Sequence, residues 1–305
     1  MVLGFMGTLI SLERSQALRN SLAYLAPALL GLGSLLLVAG APQALGKLLL
    51  FDGALAFTIV LLALWWRAPI PLVAAQLLGA FMTAVGAGLW MVFDDISPVI
   101  PLLAAFLIIT ISSERAELAQ LTMGKRAIPT LLTSSSLLAI SATLVPLAPH
   151  VMTRIFGAVV LLTALWLIRD DVGRKMIRTD GLRRFNAASL LAGNVWLVVA
   201  GIVWIVVGQP VSQGAYDLTI HGVFLGFGMS MIIAHAPIIF PTVLARPLPY
   251  RPVMWVPLAV LHGGMVIRAA GDIADIDLLW RVGGVVTVVS LLIFAATVLF
   301  SVVRG

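Results

Sequence analysis

Residues 221–241 read HGVFLGFGMSMIIAHAPIIFP, an apolar stretch long enough to cross a lipid bilayer, and they hold two of the four histidines of the chain. A membrane-spanning helix needs roughly 20 apolar residues. The whole sequence shares this character, because 61% of its residues are hydrophobic, 10% are charged, and the mean hydropathy is +1.10. A soluble protein carries about 25% charged residues. The composition therefore predicts an all-α, polytopic integral membrane helix bundle.

Apolar runs of similar length recur along the chain, separated by short loops with proline and glycine at their edges. They predict about eleven transmembrane helices, of which the first is short. No loop is long enough to form a soluble domain, so we expect a single transmembrane domain over residues 1–305. The spans are expected near 1–12, 22–40, 46–66, 70–93, 97–113, 127–148, 151–168, 185–208, 215–241, 253–271 and 278–302.

The basic residues divide unequally when the loop after the first span is placed in the cytoplasm and later loops alternate. Fifteen of the 19 lysines and arginines then lie on the cytoplasmic side, a positive-inside pattern that predicts cytoplasmic basic loops and a cytoplasmic C-terminus. The net charge is +6, and we expect the basic residues to contact the anionic headgroups of the lipid bilayer. We expect no nucleic acid partner. The cytoplasmic group comprises Arg14, Arg19, Arg67, Arg115, Lys125, Arg126, Arg169, Arg174, Lys175, Arg178, Arg183, Arg184, Arg246, Arg251 and Arg304. The outer group comprises Lys47, Arg154, Arg268 and Arg281.

The absence of cysteine narrows the chemistry that the chain can carry. It excludes disulfides, thiolate metal ligands, iron–sulfur clusters and covalently attached c-type haem. A bound metal must therefore be held by histidine, methionine, carboxylates or backbone groups. No P-loop, HExxH motif or Ser–His–Asp order is present, so the sequence gives no support to ATPase or hydrolase activity.

Short internal repeats predict how the helices are grouped. LGFMGTLI near the N-terminus matches LGFGMSMI in the opening stretch, and ISLERSQAL at Ile10 matches ISSERAEL at Ile111. The matches fall on the first, fifth and ninth spans, which predicts three units of about four helices each. The counterpart of His221 in the first copy falls upstream of Met1, so we expect that the chain starts late and that its first helix is incomplete.

Each copy of the second repeat contains a glutamate followed by an arginine, Glu13–Arg14 in one copy and Glu114–Arg115 in the other. Both pairs are expected at cytoplasmic helix ends. A local ion pair, or snorkelling of the long side chains toward water, would accommodate these charges.

His221 and His235 lie on nearly one face if the segment that joins them is an uninterrupted α-helix. Fourteen residues at 100° per residue advance about 1400°, close to four full turns, and separate the two side chains by about 21 Å along the axis. Gly228 lies midway on the same stripe and would leave room for a bulky group. This spacing is similar to the arrangement in b-type cytochromes, in which one helix supplies ligands to two stacked haems. The other interpretation is that the histidines are structural, hydrogen-bonded polar residues of a helix bundle.

His262 lies on the following span, which is expected to run antiparallel to the span of His235. Both are then at similar depth, and they could serve as two ligands of one iron or copper ion, or as one ligand each. Pro237 removes a backbone donor and predicts a kink beside His235. His150 is the only other histidine expected at the level of His221.

Asp52 lies inside the third span, near its outer end. A carboxylate within a membrane span is a candidate for a proton or ion path. The other interpretation is an interfacial ion pair with Lys47, which lies between one and two turns earlier.

Longer motifs resemble a group of prokaryotic multi-span membrane proteins. They are YDLTIHGVFLGFGMSMIIAHAPIIFPTVLARPLPYRP, LAVLHGGMVIRAAGD, GFMGTLISLER and LIITISSERAEL. More distantly, the pattern is similar to the NnrS family, haem and copper membrane proteins of nitric oxide metabolism, and to the catalytic subunit of haem–copper oxidases. The resemblance implies the prokaryotic cytoplasmic (inner) membrane, haem b with copper as a further possibility, and His221, His235 and His262 as ligands.

The chain also departs from the oxidase pattern, because it has only four histidines, no adjacent pair of them, and three tyrosines. Oxygen reduction is therefore not expected. The leading hypothesis is a haem- or copper-binding membrane protein of electron transfer or nitric oxide metabolism, acting with a redox partner, and it leaves open whether the protein is an enzyme. The alternatives are a proton- or solute-conducting transporter and a scaffold subunit that joins other membrane subunits in a redox complex.

Overall fold

The computed structural model describes residues 2–118, 123–244 and 248–303. Its regular secondary structure in these ranges is helical and contains no strand, which confirms the all-α class. Arg246 and Arg304 of the predicted cytoplasmic group, and Met1, lie outside the described residues. The first seven helices are α1 Val2–Leu18, α2 Leu25–Val38, α3 Gln43–Arg67, α4 Pro71–Val92, α5 Ile100–Leu118, α6 Ala127–Leu144 and α7 Pro149–Asp170. The others are α8 Gly173–Met176, α9 Gly181–Val207, α10 Gln213–His221, a π-helical segment Gly222–Met229, α11 Ser230–Leu244, α12 Trp255–Ala274 and α13 Asp277–Val303.

Ten helical stretches in the described residues are long and apolar enough to cross a membrane. They coincide with ten of the eleven predicted spans. The eleventh, predicted near 1–12, corresponds to α1, which has 17 residues and is not among the ten. The reason is length, because α1 is one residue shorter than the shortest of the ten stretches, which has 18 residues.

The chain divides into two compact units, an N-terminal unit Met1–Val159 and a C-terminal unit Val160–Gly305. The boundary falls within α7, so it does not coincide with a loop. One membrane domain can contain two such units, and the single domain and the three four-helix units both stay predictions.

The N-terminal unit is built around α5. In an 18-residue window of the stretch Ser97–Glu117, 83% of the residues are buried, against 28% in the corresponding window of α3. Neighbouring helices pack in chain order, α2 on α3, α3 on α4 and α4 on α5. Arg67 at the end of α3 donates to the carbonyl of Leu18 at the end of α1 (2.7 Å), whereas Lys47 donates to the carbonyl of Phe93 after α4 (3.4 Å). These bonds place the two basic residues at opposite ends of the unit.

The C-terminal unit contains two tightly packed helix groups. In one, α9 packs against the π-helical segment and α11. In the other, α12 and α13 pack along their lengths. A side chain at Gly264 would approach the Thr287 hydroxyl to 2.7 Å, so glycine is what allows this close approach. Small residues at such contacts are typical of helices that pack in membranes.

The π-helical segment contradicts the uninterrupted α-helix assumed between His221 and His235. A π-helix closes i→i+5 hydrogen bonds and so has more residues per turn than an α-helix. The argument for one face and for a separation of about 21 Å therefore does not hold through this segment. A side chain at Gly226 would overlap Trp196 of α9, so the segment follows the contour of that indole. The predicted kink site, Pro237, lies inside α11.

Candidate functional site

The C-terminal unit contains a buried ion pair between Asp217 of α10 and Arg268 of α12. The Arg268 Nε and Nη2 atoms donate to the two carboxylate oxygens of Asp217 at 2.5 and 2.6 Å. Only 9% of the aspartate side chain and 14% of the arginine side chain is exposed. A bidentate, charge-assisted pair of this kind is both stronger and more directional than a single hydrogen bond. It therefore fixes the relative position of α10 and α12.

His221 is a second partner of the same Asp217 carboxylate. It lies one turn after Asp217 on α10, and its Nδ1 atom is 3.1 Å from Asp217 Oδ1 and 3.0 Å from the Asp217 carbonyl oxygen. Both contacts use the same ring nitrogen, so Nδ1 carries the hydrogen and Nε2 carries the lone pair of the neutral ring. The imidazole is thereby oriented by the aspartate.

Arg268 also packs against an aromatic residue and two glycines of α13. The guanidinium carbon is 4.6 Å from the centre of the Trp280 ring, a cation–π contact. A side chain at Gly284 would lie 2.6 Å from Arg268 Nη1, and one at Gly283 would overlap the Arg268 backbone. Glycine at both positions lets α13 approach the arginine closely.

Asp272 is the fourth member of this arrangement, which we call the charged cluster: Asp217, His221, Arg268 and Asp272. It lies one turn after Arg268 on α12, and its carboxyl group is within hydrogen-bonding range of Asp217. Its Oδ2 atom is buried and has no hydrogen-bond partner in the described part of the chain. A hydrogen bond between two carboxyl groups requires a proton on one of them.

The charged cluster can exchange protons without being dismantled. Arg268 and the Asp217 carboxylate compensate each other, which leaves Asp272 as the carboxyl group without a cation of its own. It lies next to a fixed carboxylate, and its Oδ2 atom offers an unpartnered oxygen in the described part of the chain. Clusters of this composition within apolar helices are typical of proton relays and ion paths.

His262 lies in a separate hydrogen-bonded chain within the same unit. Its Nδ1 atom accepts from the Trp196 indole (3.0 Å), its Nε2 atom lies 3.2 Å from Ser230 Oγ, and Ser230 Oγ donates to the Gly226 carbonyl (2.5 Å). Because the indole only donates, Nδ1 must be unprotonated and Nε2–H donates to the serine. Both nitrogens of His262 are thus used by protein groups. His262 fits the predicted role of iron or copper ligand only if one of these bonds breaks.

His235 is the most buried of the four histidines that the structure describes, with 5% exposure, and its Nδ1 atom bonds to the Met231 carbonyl at 2.7 Å. The two ring nitrogens of His262 contact Trp196 and Ser230. Within the described ranges no group of three or more His, Asp or Glu side chains is arranged to hold a metal ion. Gly228 lies inside the buried π-helical segment. The ligand roles of His221, His235 and His262 stay predictions.

The family follows from a comparison with family models. One model, described as a domain of unknown function (DUF8744), matches residues 1–303. The chain belongs to this family. No curated protein and no solved structure matches it. The description of the family names no activity, so the resemblance to NnrS proteins and haem–copper oxidases stays a prediction for this DUF8744 chain.

Asp52 of this DUF8744 chain is half-buried in α3. It forms no ion pair with Lys47, whose ammonium group instead bonds to the Phe93 carbonyl and lies 5.1 Å from the centre of the Trp90 ring. The structure therefore does not contain the interfacial ion pair between Asp52 and Lys47 that was considered as the other interpretation. The proposed role of Asp52 in a proton or ion path stays a prediction.

The sequence analysis placed Arg268 on the outer side and did not associate it with Asp217 or Asp272. A signal was present, because Asp217 and His221 are separated by one helical turn, and so are Arg268 and Asp272. Two turn-spaced polar pairs at the same end of two spans predict that they meet.

Proposed function

We propose that this DUF8744 chain is a multi-pass protein of the prokaryotic cytoplasmic membrane, with its basic loops in the cytoplasm, and that it takes up and releases protons at the charged cluster as part of proton-coupled transport. The observation that carries the proposal is the carboxyl group of Asp272 beside the bidentate Asp217–Arg268 pair, with His221 bonded to the same carboxylate. All four residues lie in helical stretches that are long and apolar enough to span a membrane.

The energetic argument is that charged groups in apolar helices are expensive. A bundle retains them only when they are paired or serve an ion or proton path. Pairing accounts for Asp217 and Arg268, but Asp272 Oδ2 has no partner in the residues that are described. A titrating role for Asp272 explains why a carboxyl group is present there.

Proton flux into liposomes tests the proposal. The purified protein is reconstituted with a pH-sensitive dye inside, and a potassium diffusion potential drives proton entry. We expect flux above that of empty liposomes, reduced in Asp272→Asn and in His221→Gln. The matched control is Asp275→Asn, because Asp275 is an exposed aspartate just after α12. Equal flux in Asp272→Asn and wild type, or wild-type flux no greater than in empty liposomes, would contradict the proposal.

A second candidate function is binding of haem b or copper for electron transfer or nitric oxide metabolism. One observation favours it: Nδ1 of His221 and Nδ1 of His235 each contact the carbonyl one turn earlier. Metal-binding histidines commonly donate their other ring nitrogen in this way, which orients Nε2 toward the metal. An absorption spectrum with metal analysis of protein from haem-replete cells tests it, with His235→Ala expected to lose the signal. A colourless, metal-free protein would contradict it.

A further inference from the structure

The N-terminal unit contains a cavity of about 620 Å³ at the end that carries Lys47 and Trp90. Ligand pockets in proteins commonly measure about 300–1,000 Å³. The wall is mainly apolar and includes the rings of Phe57 and Phe106. Two hydroxyl side chains also line the cavity, Ser34 and Thr83. Ser34 donates to the carbonyl of Leu30, whereas the buried hydroxyl of Thr83 has no hydrogen-bond partner in the part of the chain that is described.

Polar side chains continue from Thr83 along the contact between α4 and α5. Gln76 lies two turns before Thr83 on the same face of α4, and it is 2% exposed. On α5, Thr110 follows the cavity residue Phe106 by one turn, and Glu114 follows Thr110 by another. These residues lead away from the cavity toward the opposite end of the unit.

Gly79 shows that the two faces oppose each other. A side chain on this glycine of α4 would lie 3.1 Å from the Thr110 hydroxyl. Gly79 lies between Gln76 and Thr83 on α4. Thr110 of α5 therefore lies at a level between these two polar residues. Glycine at this position therefore lets α4 and α5 pack closely at the level of Thr110.

The run ends at an ion pair between helices. Arg14 Nη2 of α1 lies 3.6 Å from Glu114 Oε1, and 18% and 16% of the two side chains are exposed. We call the five residues Thr83, Thr110, Gln76, Glu114 and Arg14 the polar seam. The cavity lies at one end of the polar seam, and the Arg14–Glu114 ion pair lies at the other end.

Each residue of the polar seam has at least one buried polar atom that finds no hydrogen-bond partner among the described residues. The atoms are Thr83 Oγ1, Thr110 Oγ1, Gln76 Nε2, Gln76 Oε1, Glu114 Oε1 and Arg14 Nε. A buried polar group without a partner costs about 1–3 kcal/mol. Such groups in native proteins are commonly satisfied by water, which needs a polar site with several partners. The polar seam supplies both donors and acceptors.

We propose that the polar seam is a water-filled path that joins the cavity to the Arg14–Glu114 ion pair, which closes it at the far end. The path admits water and small hydrogen-bonding solutes from the cavity side. It is independent of the charged cluster, because every residue that forms it belongs to the N-terminal unit.

Cysteine accessibility tests the path directly, because the natural chain contains no cysteine. Thr83→Cys, Thr110→Cys and Gln76→Cys are each treated with a charged methanethiosulfonate reagent on one side of oriented membrane vesicles. The matched control is Ile108→Cys, which is 0% exposed on α5 and points away from Thr110. The ionised thiol is the reactive species, so the rate reports contact with water. We expect reaction an order of magnitude or more faster at the three seam positions than at the control, and only from the cavity side.

The closing role of the ion pair is tested in the same assay. Glu114→Gln combined with Gln76→Cys removes the charge that holds Arg14, and we expect the cysteine to become reactive from both sides. Reaction from the cavity side alone in this double variant would overturn the closure. Seam cysteines that react no faster than Ile108→Cys would overturn the water-filled path.

Radiolytic footprinting of the unmodified protein keeps the proposal testable if a cysteine variant fails to fold. Hydroxyl radicals formed from bound water oxidise nearby aromatic rings, which mass spectrometry detects. Phe57 and Phe106 line the cavity, whereas Phe156 is equally buried and does not line it. We expect oxidation of the first two rings above that of Phe156. Equal oxidation of all three would contradict the proposal.

Discussion

Arg14 and Glu114 come from the two copies of a repeated ISxER motif and meet in the structure, with Nη2 and Oε1 3.6 Å apart. The structure therefore contains an ion pair between the two copies, in addition to any pair between neighbouring residues within one copy. Each copy lies at the C-terminal end of its helix, α1 in one case and α5 in the other. The repeat thus supplies complementary halves of one contact between helices.

Exchange of the two charges tests whether Arg14 and Glu114 are coupled. We expect Arg14→Glu and Glu114→Arg each to lower the unfolding midpoint in detergent, because each brings two like charges together within a bundle. The double variant restores opposite charges and recovers part of the loss, with a coupling of about 0.5–3 kcal/mol. Additive effects of the two changes would show that the residues do not act as a pair.

The Arg268 guanidinium combines a bidentate pair with a cation–π contact, and a lysine cannot reproduce both. We expect Arg268→Lys to destabilise the protein by about 1–3 kcal/mol, measured by thermal unfolding in detergent. The control is Arg281→Lys, because Arg281 pairs with Asp277 on the surface and about two thirds of each side chain is exposed. We expect the control to change stability by less than about 0.5 kcal/mol. Equal losses in both variants would count against a special role of the buried pair.

Adjacent glycines on α12 offer a matched test of helix packing. A side chain at Gly264 would meet the Thr287 hydroxyl at 2.7 Å, whereas one at Gly263 would meet nothing within 4 Å. We expect Gly264→Ala to cost about 1–3 kcal/mol through overpacking. Gly263→Ala is expected to be neutral or stabilising by up to about 1 kcal/mol, because alanine favours the helix. A greater loss in Gly263→Ala than in Gly264→Ala would contradict the packing of α12 on α13.

The helices could be predicted from the sequence because membrane-spanning length and apolar composition are local properties. Ten of the eleven expected spans coincide with the described helices that meet the same criteria. The π-helical segment could not be predicted in this way. Its residues Gly222–Met229 are apolar in either helix form, and the choice depends on the contacts of Gly222 and Gly226 with Trp196, far away in sequence.

The candidate site was less accessible to sequence reasoning than the helices. Both ring nitrogens of His262 contact Trp196 and Ser230, and no spacing rule in the sequence connects these residues to His262. The charged cluster depends on which faces of α10 and α12 meet, and a hydropathy pattern does not specify that. The local signal for it was the turn spacing of Asp217 with His221 and of Arg268 with Asp272.

The tautomers of the histidines provide a final test of the hydrogen bonds. These bonds assign one tautomer to His262 and the opposite one to His221 and His235. His262 accepts at Nδ1 from Trp196 and is therefore protonated at Nε2, whereas Nδ1 of His221 and of His235 donates to a carbonyl. With only four histidines in the chain, ¹⁵N-histidine NMR at neutral pH can resolve each ring, and His→Gln variants assign the signals. We expect an Nε2–H tautomer for His262 and Nδ1–H tautomers for the other two. Trp196→Phe removes the donor while keeping a ring at that position, so His262 alone should lose its fixed tautomer and exchange between both forms. A His262 ring protonated at Nδ1 in the unmodified protein would contradict the chain of bonds from Trp196 to Ser230.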